Sequence, residues 1–538
     1  MTLDGFLTFL GLAAAVFAII PPVARLRIRL QLVPQAILAA AALVLALYFE
    51  FFQFVSLPCL PAFRIVCDGL VIQPGAAFTP AMAAFLVVLV WMLLACLVAI
   101  CLPPSQRAIR AMADLVEQLF HQQRYGEAVE FVLPHVRFLE RAQNRKLWNQ
   151  KLKDRLAGKS IPDLEEWLGD PIRADKKRRW LTPFRLLARG VPEGANAQEH
   201  AERILNSLYL SRQFMDYAAL QRPSVTAVLL TLDAHQRFDF SNRLLASLAS
   251  LPGSRLYEEV ERNAKYEGLG DNLVVGHNFI LRAYFLDASV AETLAAWKPI
   301  GDFVIDYIRG DDAVVRAKLN GKSDSFDQRR WRDPVAFATA YFDLMIRSAF
   351  SQDIKDHMWL AYLDHFVDEL VEIYDATGPD IDQGDEFPTW NAHLIYECIN
   401  TLGHWVQFTR KAPEGSVHRS FPASLHQGSA SIPANAARSL GTCLYHVLKS
   451  HRVGDTFAMY MVECVLRDIR YLVQPGDEEA RKFLIRSIVT GGGRDNAHEY
   501  GARLAHLLGG IDYILLNDVP DFLAAARVAH PRAEFPDR

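Results

Sequence analysis

The chain has 538 residues, a formal net charge of -4 and a hydrophobic fraction of 51%. That length leaves room for several domains, and the near-neutral balance excludes a wholesale nucleic-acid binder, which would carry a large basic excess. The apolar residues crowd the first hundred positions, while the remainder has the composition of an ordinary globular protein.

Three apolar runs lead the chain, at about residues 6–24, 32–55 and 81–103. The third, AMAAFLVVLVWMLLACLVAICLP, holds no charged residue. At about 1.5 Å per helical residue it is long enough for a hydrocarbon core of roughly 30 Å. All three runs are expected to be transmembrane helices. The first follows MTLDG, which has Asp4 and no base, so it reads as a retained anchor and not as a cleaved secretory signal.

Charge gives these runs a direction. Arg25, Arg27 and Arg29 follow run one, Arg64 is the single base of the loop 56–80, and Arg107 and Arg110 follow run three. By the positive-inside rule the N-terminus and the loop lie outside, and everything after run three is the cytoplasmic part of a multi-pass inner-membrane protein. Glu50, near the outer end of run two, is a membrane-embedded acid expected to reach the interface beside Tyr48, Phe51 and Phe52. Lining a pore or pairing with Arg64 are its alternatives. Of seven cysteines, Cys59 and Cys67 share the outer loop at a spacing that suits a small disulfide, whereas Cys398, Cys443 and Cys464 are expected to stay reduced.

From Ser105 onward amphipathic helical patterns prevail. The expected fold is mostly α: a bundle of three transmembrane helices followed by a large, irregular, all-helical cytoplasmic region. Its divisions are a membrane domain 1–104, a basic helical connector 105–190, a helical body 191–410 and a C-terminal helical subdomain 411–538, the last set off by the polar stretch 411–435. The first soluble unit reads as a helical hairpin, with Leu115, Leu119 and Phe120 before a break near Tyr125 and Gly126, and Ala128, Val129, Phe131 and Val132 after it. The placement of Tyr125, Ala128 and Pro134 resembles one tetratricopeptide-like unit. No second copy follows at a 34-residue period, so irregular paired helices are expected.

Two stretches have opposite charge. Residues 137–189 hold fifteen Lys or Arg against seven Asp or Glu, densest at Arg173, Lys176, Lys177, Arg178 and Arg179, next to Trp180. Residues 356–409 hold eleven Asp or Glu and no Lys or Arg. The basic cluster is a solvated face, or a contact for anionic lipid, with nucleic acid or a nucleotide as a secondary candidate. The complementarity suggests a homo-oligomer whose subunits meet basic face to acidic face.

No motif for catalysis, metal or cofactor stands out, and no cofactor is expected. His393, Glu397, Asn400 and His404 recur on one helical face. Of these, His393, Glu397 and His404 are the catalytic candidates should the body be an enzyme, against the plainer reading of a hydrogen-bonded seam between helices. His357, Asp364 and Asp368 make a second polar stripe, and Cys443 with His446 is a lone C-x-x-H. Asp380, Asp382, Asp385 and Glu386 fail the EF-hand spacing, and Gly491, Gly492 and Gly493 lack the lysine of a phosphate loop.

The functional expectation is an integral inner-membrane protein whose cytoplasmic region binds a protein partner or ligand and relays that event to its membrane helices. In layout alone this resembles bacterial antiphage effectors that join a cytoplasmic sensor to a few membrane helices. The alternatives are a membrane-tethered hydrolase or nuclease and a passive membrane scaffold for a soluble partner.

Overall fold

Several helices begin where a short polar side chain meets a proline or an apolar run. Asp333, Thr389 and Ser431 each accept a hydrogen bond from an amide in the first turn of the helix that follows, and Pro334 and Pro433 occupy first-turn positions. Such caps satisfy amides that a helix leaves open, and proline there forfeits no internal bond. The computed structural model describes residues 32–51, 80–101, 106–144, 197–232, 236–265, 278–322, 328–355, 361–426, 431–494 and 497–536. These residues are mostly helical and contain no strand. One antiparallel bridge joins Lys322 and Thr389.

The chain divides into two compact units, residues 1–214 and 215–538. In the first, α1 (Leu32–Phe51) packs along α2 (Pro80–Cys101). Gln35 Nε2, near the start of α1, donates to the Ala95 carbonyl, near the end of α2, at 2.8 Å. The pair is therefore antiparallel. Side chains are described for 35–49 in α1 and for 85–95 and 97 in α2. Those facing away from the partner helix are apolar: Phe85 is 61% exposed, Leu93 63% and Leu97 59%.

Among the described residues no helix is long and apolar enough to cross a membrane. The all-helical architecture is thus established, and the expected three-helix transmembrane bundle is not. Run one and the loop 56–79 lie outside the described residues. Glu50 lies in α1 with its side chain outside that set, and Cys59 and Cys67 lie outside it altogether.

The hairpin expected near residue 125 is present as α3 (Gln106–His121) and α4 (Tyr125–Val132), with Gln123 in the left-handed region at φ 56°. After α5 (Val136–Asn144), α6 (Ala197–Leu210) packs on α3 and α5. Phe120, Tyr125 and Phe214 bring their rings within 6.0 Å of one another. Residues 145–196, with the basic cluster Arg173 to Arg179, lie outside the described set.

The second unit contains α7 (Arg237–Ala249), α8 (Arg255–Lys265), α9 (Phe279–Phe285), α10 (Lys298–Arg309), α11 (Pro334–Ser351), α12 (Ala361–Glu372), α13 (Trp390–Gln407), α14 (Ile432–Lys449), α15 (Asp455–Tyr471), α16 (Glu478–Val489), α17 (Ala497–Leu508) and α18 (Pro520–Ala529). Helix α11 packs on α8, α10 and α13, burying Phe337, Tyr341, Phe342 and Ile346. Helix α14 is the second hub, in contact with α12, α13, α16 and α17. Because α13 and α14 pack together, the boundary expected near 410 runs through one packed unit. The polar stretch that suggested it holds a short 3-10 turn at Val417–Arg419, and Ser431 Oγ donates to the Ser420 carbonyl at 2.8 Å.

A buried carboxylate ties one joint of this unit. Glu259 in α8 is 0% exposed and accepts from the amides of Phe279, Ile280 and Leu281 at 2.9, 3.0 and 3.0 Å. Burial raises its pKa, while those three amides and Arg255 pull it back. A charge-assisted bond of this kind anchors the start of α9 from some twenty residues upstream.

Candidate functional site

Helix α13 carries the candidates read from its face. Its first turn is fixed by the Thr389 cap and by the Trp390 amide donating to the Gly321 carbonyl at 2.9 Å. One turn on, His393 Nε2 lies 3.2 Å from Glu397 Oε1, and Arg330 Nη2 lies 3.2 Å from the same oxygen. The His393 ring stacks on Trp390 at 4.9 Å and meets the edge of Phe387 at 5.2 Å. Its Nδ1 is buried with no hydrogen-bond partner. Trp390 Nε1 and Lys318 Nζ both donate to Asp333 Oδ2, at 3.2 and 3.0 Å, while Asp333 Oδ1 caps α11.

The structure thus brings together His393 and Glu397 and leaves out His404. His404 is exposed, and eleven residues at about 1.5 Å each separate it from His393 along the axis by roughly 16 Å. Helical phase was readable from the spacing; reach was not respected by it. What surrounds the pair is packing and hydrogen bonding, and the His393 side chain is 9% exposed.

The other polar clusters resolve in the same way. In α12 and α14, Asp368 Oδ1 is 2.6 Å from His446 Nδ1, and that contact lowers the Asp368 pKa. His446 therefore turns to Asp368 and not toward Cys443, whose thiol is buried and pushed far up by desolvation. Burial raises Asp364 to about 7 against the pull of Arg494 and Arg438. His357, from the same stripe, lies outside the described residues.

Cys398, Cys443 and Cys464 are free thiols. Among the described residues no group of three His, Cys, Asp or Glu could hold a metal ion. Asp382 Oδ1 instead accepts from the Gly384 amide at 2.8 Å, closing its acidic turn.

The glycine triplet ends α16. Gly491, Gly492 and Gly493 take φ of 60°, 74° and 89°, and their amides donate to the carbonyls of Ile488, Ser487 and Thr490. With those donors consumed, the turn cannot cradle a phosphate; it is a left-handed helix terminus.

A site that single-segment reading missed is an open cleft of about 940 Å³ assembled from residues near 316–320, 372–388 and 451–457. Tyr374 and Phe457, nearly fully buried and stacked at 6.2 Å, form its base. Asn320 links its walls: its Nδ2 donates to the Ile373 carbonyl at 2.8 Å and its Oδ1 accepts from the Asp375 amide at 3.1 Å. Arg316 is held by Asp311 at 2.8 Å, and Arg452 donates to the Glu372 carbonyl. The Glu372 carboxylate has no partner among the described residues. Asp375 is held below the usual carboxylate range by the Thr377 hydroxyl and amide. The cleft lining therefore mixes the carboxylates of Glu372 and Asp375 with the guanidinium groups of Arg316 and Arg452, beside the nearly buried Tyr374 and Phe457.

No protein-family model matches the chain, and neither does any curated protein or solved structure.

Proposed function

We propose that the chain is a membrane-anchored binding protein whose helical second unit captures a partner in the cleft beside Tyr374 and Phe457 and relays that event to its membrane helices. The observation that carries the anchoring is the antiparallel pair α1 and α2, which turns apolar side chains such as Phe85, Leu93 and Leu97 outward. Side chains of that kind are stable against lipid and costly against water, at about 1.5–3 kcal/mol for each large one. The sequence of α2 adds 22 residues without a charge. Binding in place of catalysis is favoured because His393, Asp368 and His446 are engaged with neighbouring side chains, while the cleft presents exposed polar groups.

Alkaline carbonate extraction of membranes from cells expressing the full chain tests the anchor. The chain is expected in the pellet, and release into the supernatant sinks the proposal. A second reading, a membrane-tethered hydrolase, keeps one observation in its favour: the 3.2 Å contact of His393 with Glu397.

A further inference from the structure

Residues 411–426 form a strap that follows the 3-10 turn Phe408–Arg410 and enters the core at three points. Ala412, His418 and Leu425 are its buried side chains, 2%, 0% and 6% exposed, and the residues between them are exposed or half-buried. Two of these plugs are hydrocarbon; the third is an imidazole. The His418 ring lies 4.9 Å from the Phe350 ring, which lies 4.9 Å from Phe408. Among the described residues neither His418 nitrogen has a hydrogen-bond partner, and Asp353 Oδ1, at 3.9 Å from Nε2, is beyond bonding reach. That carboxylate instead accepts from Ser416 Oγ at 2.7 Å, and Ser416 Oγ accepts from the His418 amide at 3.1 Å.

A neutral imidazole can fill such a place as an apolar ring. An imidazolium cannot, because both its N–H groups would be buried without acceptors and its charge would lose its water. The charged groups around it do not supply what is missing. The end of α11 brings Asp353 and the exposed Lys355, and the turn before the strap brings Arg410, held by Asp477 at 3.6 Å. The strap itself has Lys411 over the Phe408 ring, the exposed Glu414 and Arg419, whose Nε donates to the Ala412 carbonyl at 2.8 Å. Helix α14 brings Arg438, bonded to Asn435 Oδ1 at 2.7 Å, His446, paired with Asp368, and Lys449, over the Tyr445 ring. From α16, Arg486 donates to the Ala423 carbonyl at 2.5 Å and ties the far end of the strap. Burial outweighs the pull of Asp353 and holds the His418 pKa below its ordinary 6.5.

We propose that His418 is a proton-operated latch: on taking up a proton its ring leaves the core, and the strap lifts around the turn Val417–Arg419 while α11, α13 and α14 stay folded. The released ring binds its proton at the ordinary value and the docked ring binds it more weakly. The closed strap therefore holds fully above about pH 6.5, and below it the opening equilibrium rises by up to about tenfold per pH unit. Lifting bares Phe350 and Phe408. The latch is independent of both the anchor and the cleft.

Amide exchange of the full chain in detergent tests it, read at about pH 7.5 and about pH 5.5 as protection relative to unstructured peptide at the same pH. The Arg419 and Ser420 amides, which donate to the Ser416 and Val417 carbonyls at 3.2 and 3.3 Å, report the turn. In wild type their protection is expected to fall about tenfold at the lower pH, while amides within α11 keep theirs. His418→Phe and His418→Met each keep an apolar plug and are expected to abolish the fall. His426→Gln, at the exposed histidine of the strap, is expected to preserve it. Constant protection in wild type, a fall that survives in the His418 variants, a fall that vanishes in His426→Gln, or an equal fall within α11 each overturns the proposal.

Discussion

Helices α2 and α11 are built from similar residues and solve opposite problems. Both begin at a proline, both are rich in Ala and large apolar residues, and both lack an acid in the first turn. In α11 the large side chains point into protein, with Phe337 1% exposed and stacked on Tyr257 at 3.8 Å. In α2 they point away from it, Phe85 at 61%. Composition alone cannot tell these apart; the difference lies in whether charged residues are interleaved that find partners within packed protein. Helix α11 has Asp343 and Arg347, paired at 2.8 Å, whereas α2 has no charge at all.

The sharpest way to break this contrast is to make one change in both places. Phe337→Ala is expected to lower stability by about 3–5 kcal/mol, the range for truncating a packed aromatic. Phe85→Ala is expected to shift the unfolding midpoint in detergent by less than about 0.5 kcal/mol, as at an exposed position. A Phe85 variant as damaged as the Phe337 variant would mean that the outer face of α2 is covered by protein and not by lipid.

A middle-sized effect concerns a buried acid of the second unit. Burial pushes Asp468 up to about 7 from 3.8, although Gln407 Nε2 donates to it at 2.7 Å. Gly403 makes the room: a Cβ there would meet Asp468 Oδ2 at 2.1 Å. The folded state holds this proton more tightly than the unfolded chain does. Its contribution to stability is therefore full below about pH 4 and is lost as pH rises through about 7. The urea midpoint of wild type should fall between about pH 6 and about pH 8, and Asp468→Asn, which keeps the Gln407 bond, should fall less. Asp364 acts with the same sign, so the fall should shrink without vanishing. Equal slopes in both proteins would show that Asp468 is ionised throughout.

The smallest effect is expected at the His393 face. Glu397→Gln removes a charge paired with a half-exposed Arg330, which is worth within about 1 kcal/mol. If instead the unfolding midpoint holds while a cellular phenotype of the full chain disappears, the hydrolase reading gains what the binding reading loses.

Much of the second unit was legible because its information is local. Apolar periodicity announces helices, and the i, i+4 spacing places His393 beside Glu397. What stayed hidden is long-range. Glu259 serves a helix that starts twenty residues later, His446 turns to an aspartate 78 positions earlier, and the cleft draws on three segments that no single window contains. The lone C-x-x-H and the glycine triplet were rightly set aside as sites, but their partners, Asp368 and the carbonyls of α16, could not be seen from spacing.

The antiparallel pairing of α1 and α2 also carries a rule of parity. Leu32 and Cys101 lie at one end of the pair, and Phe51 and Pro80 at the other. For a pair that traverses a bilayer, the chain enters and departs on the same face, whatever the arginines flanking it dictate. Sidedness is then a property of the whole hairpin, inverted only by inverting both helices together.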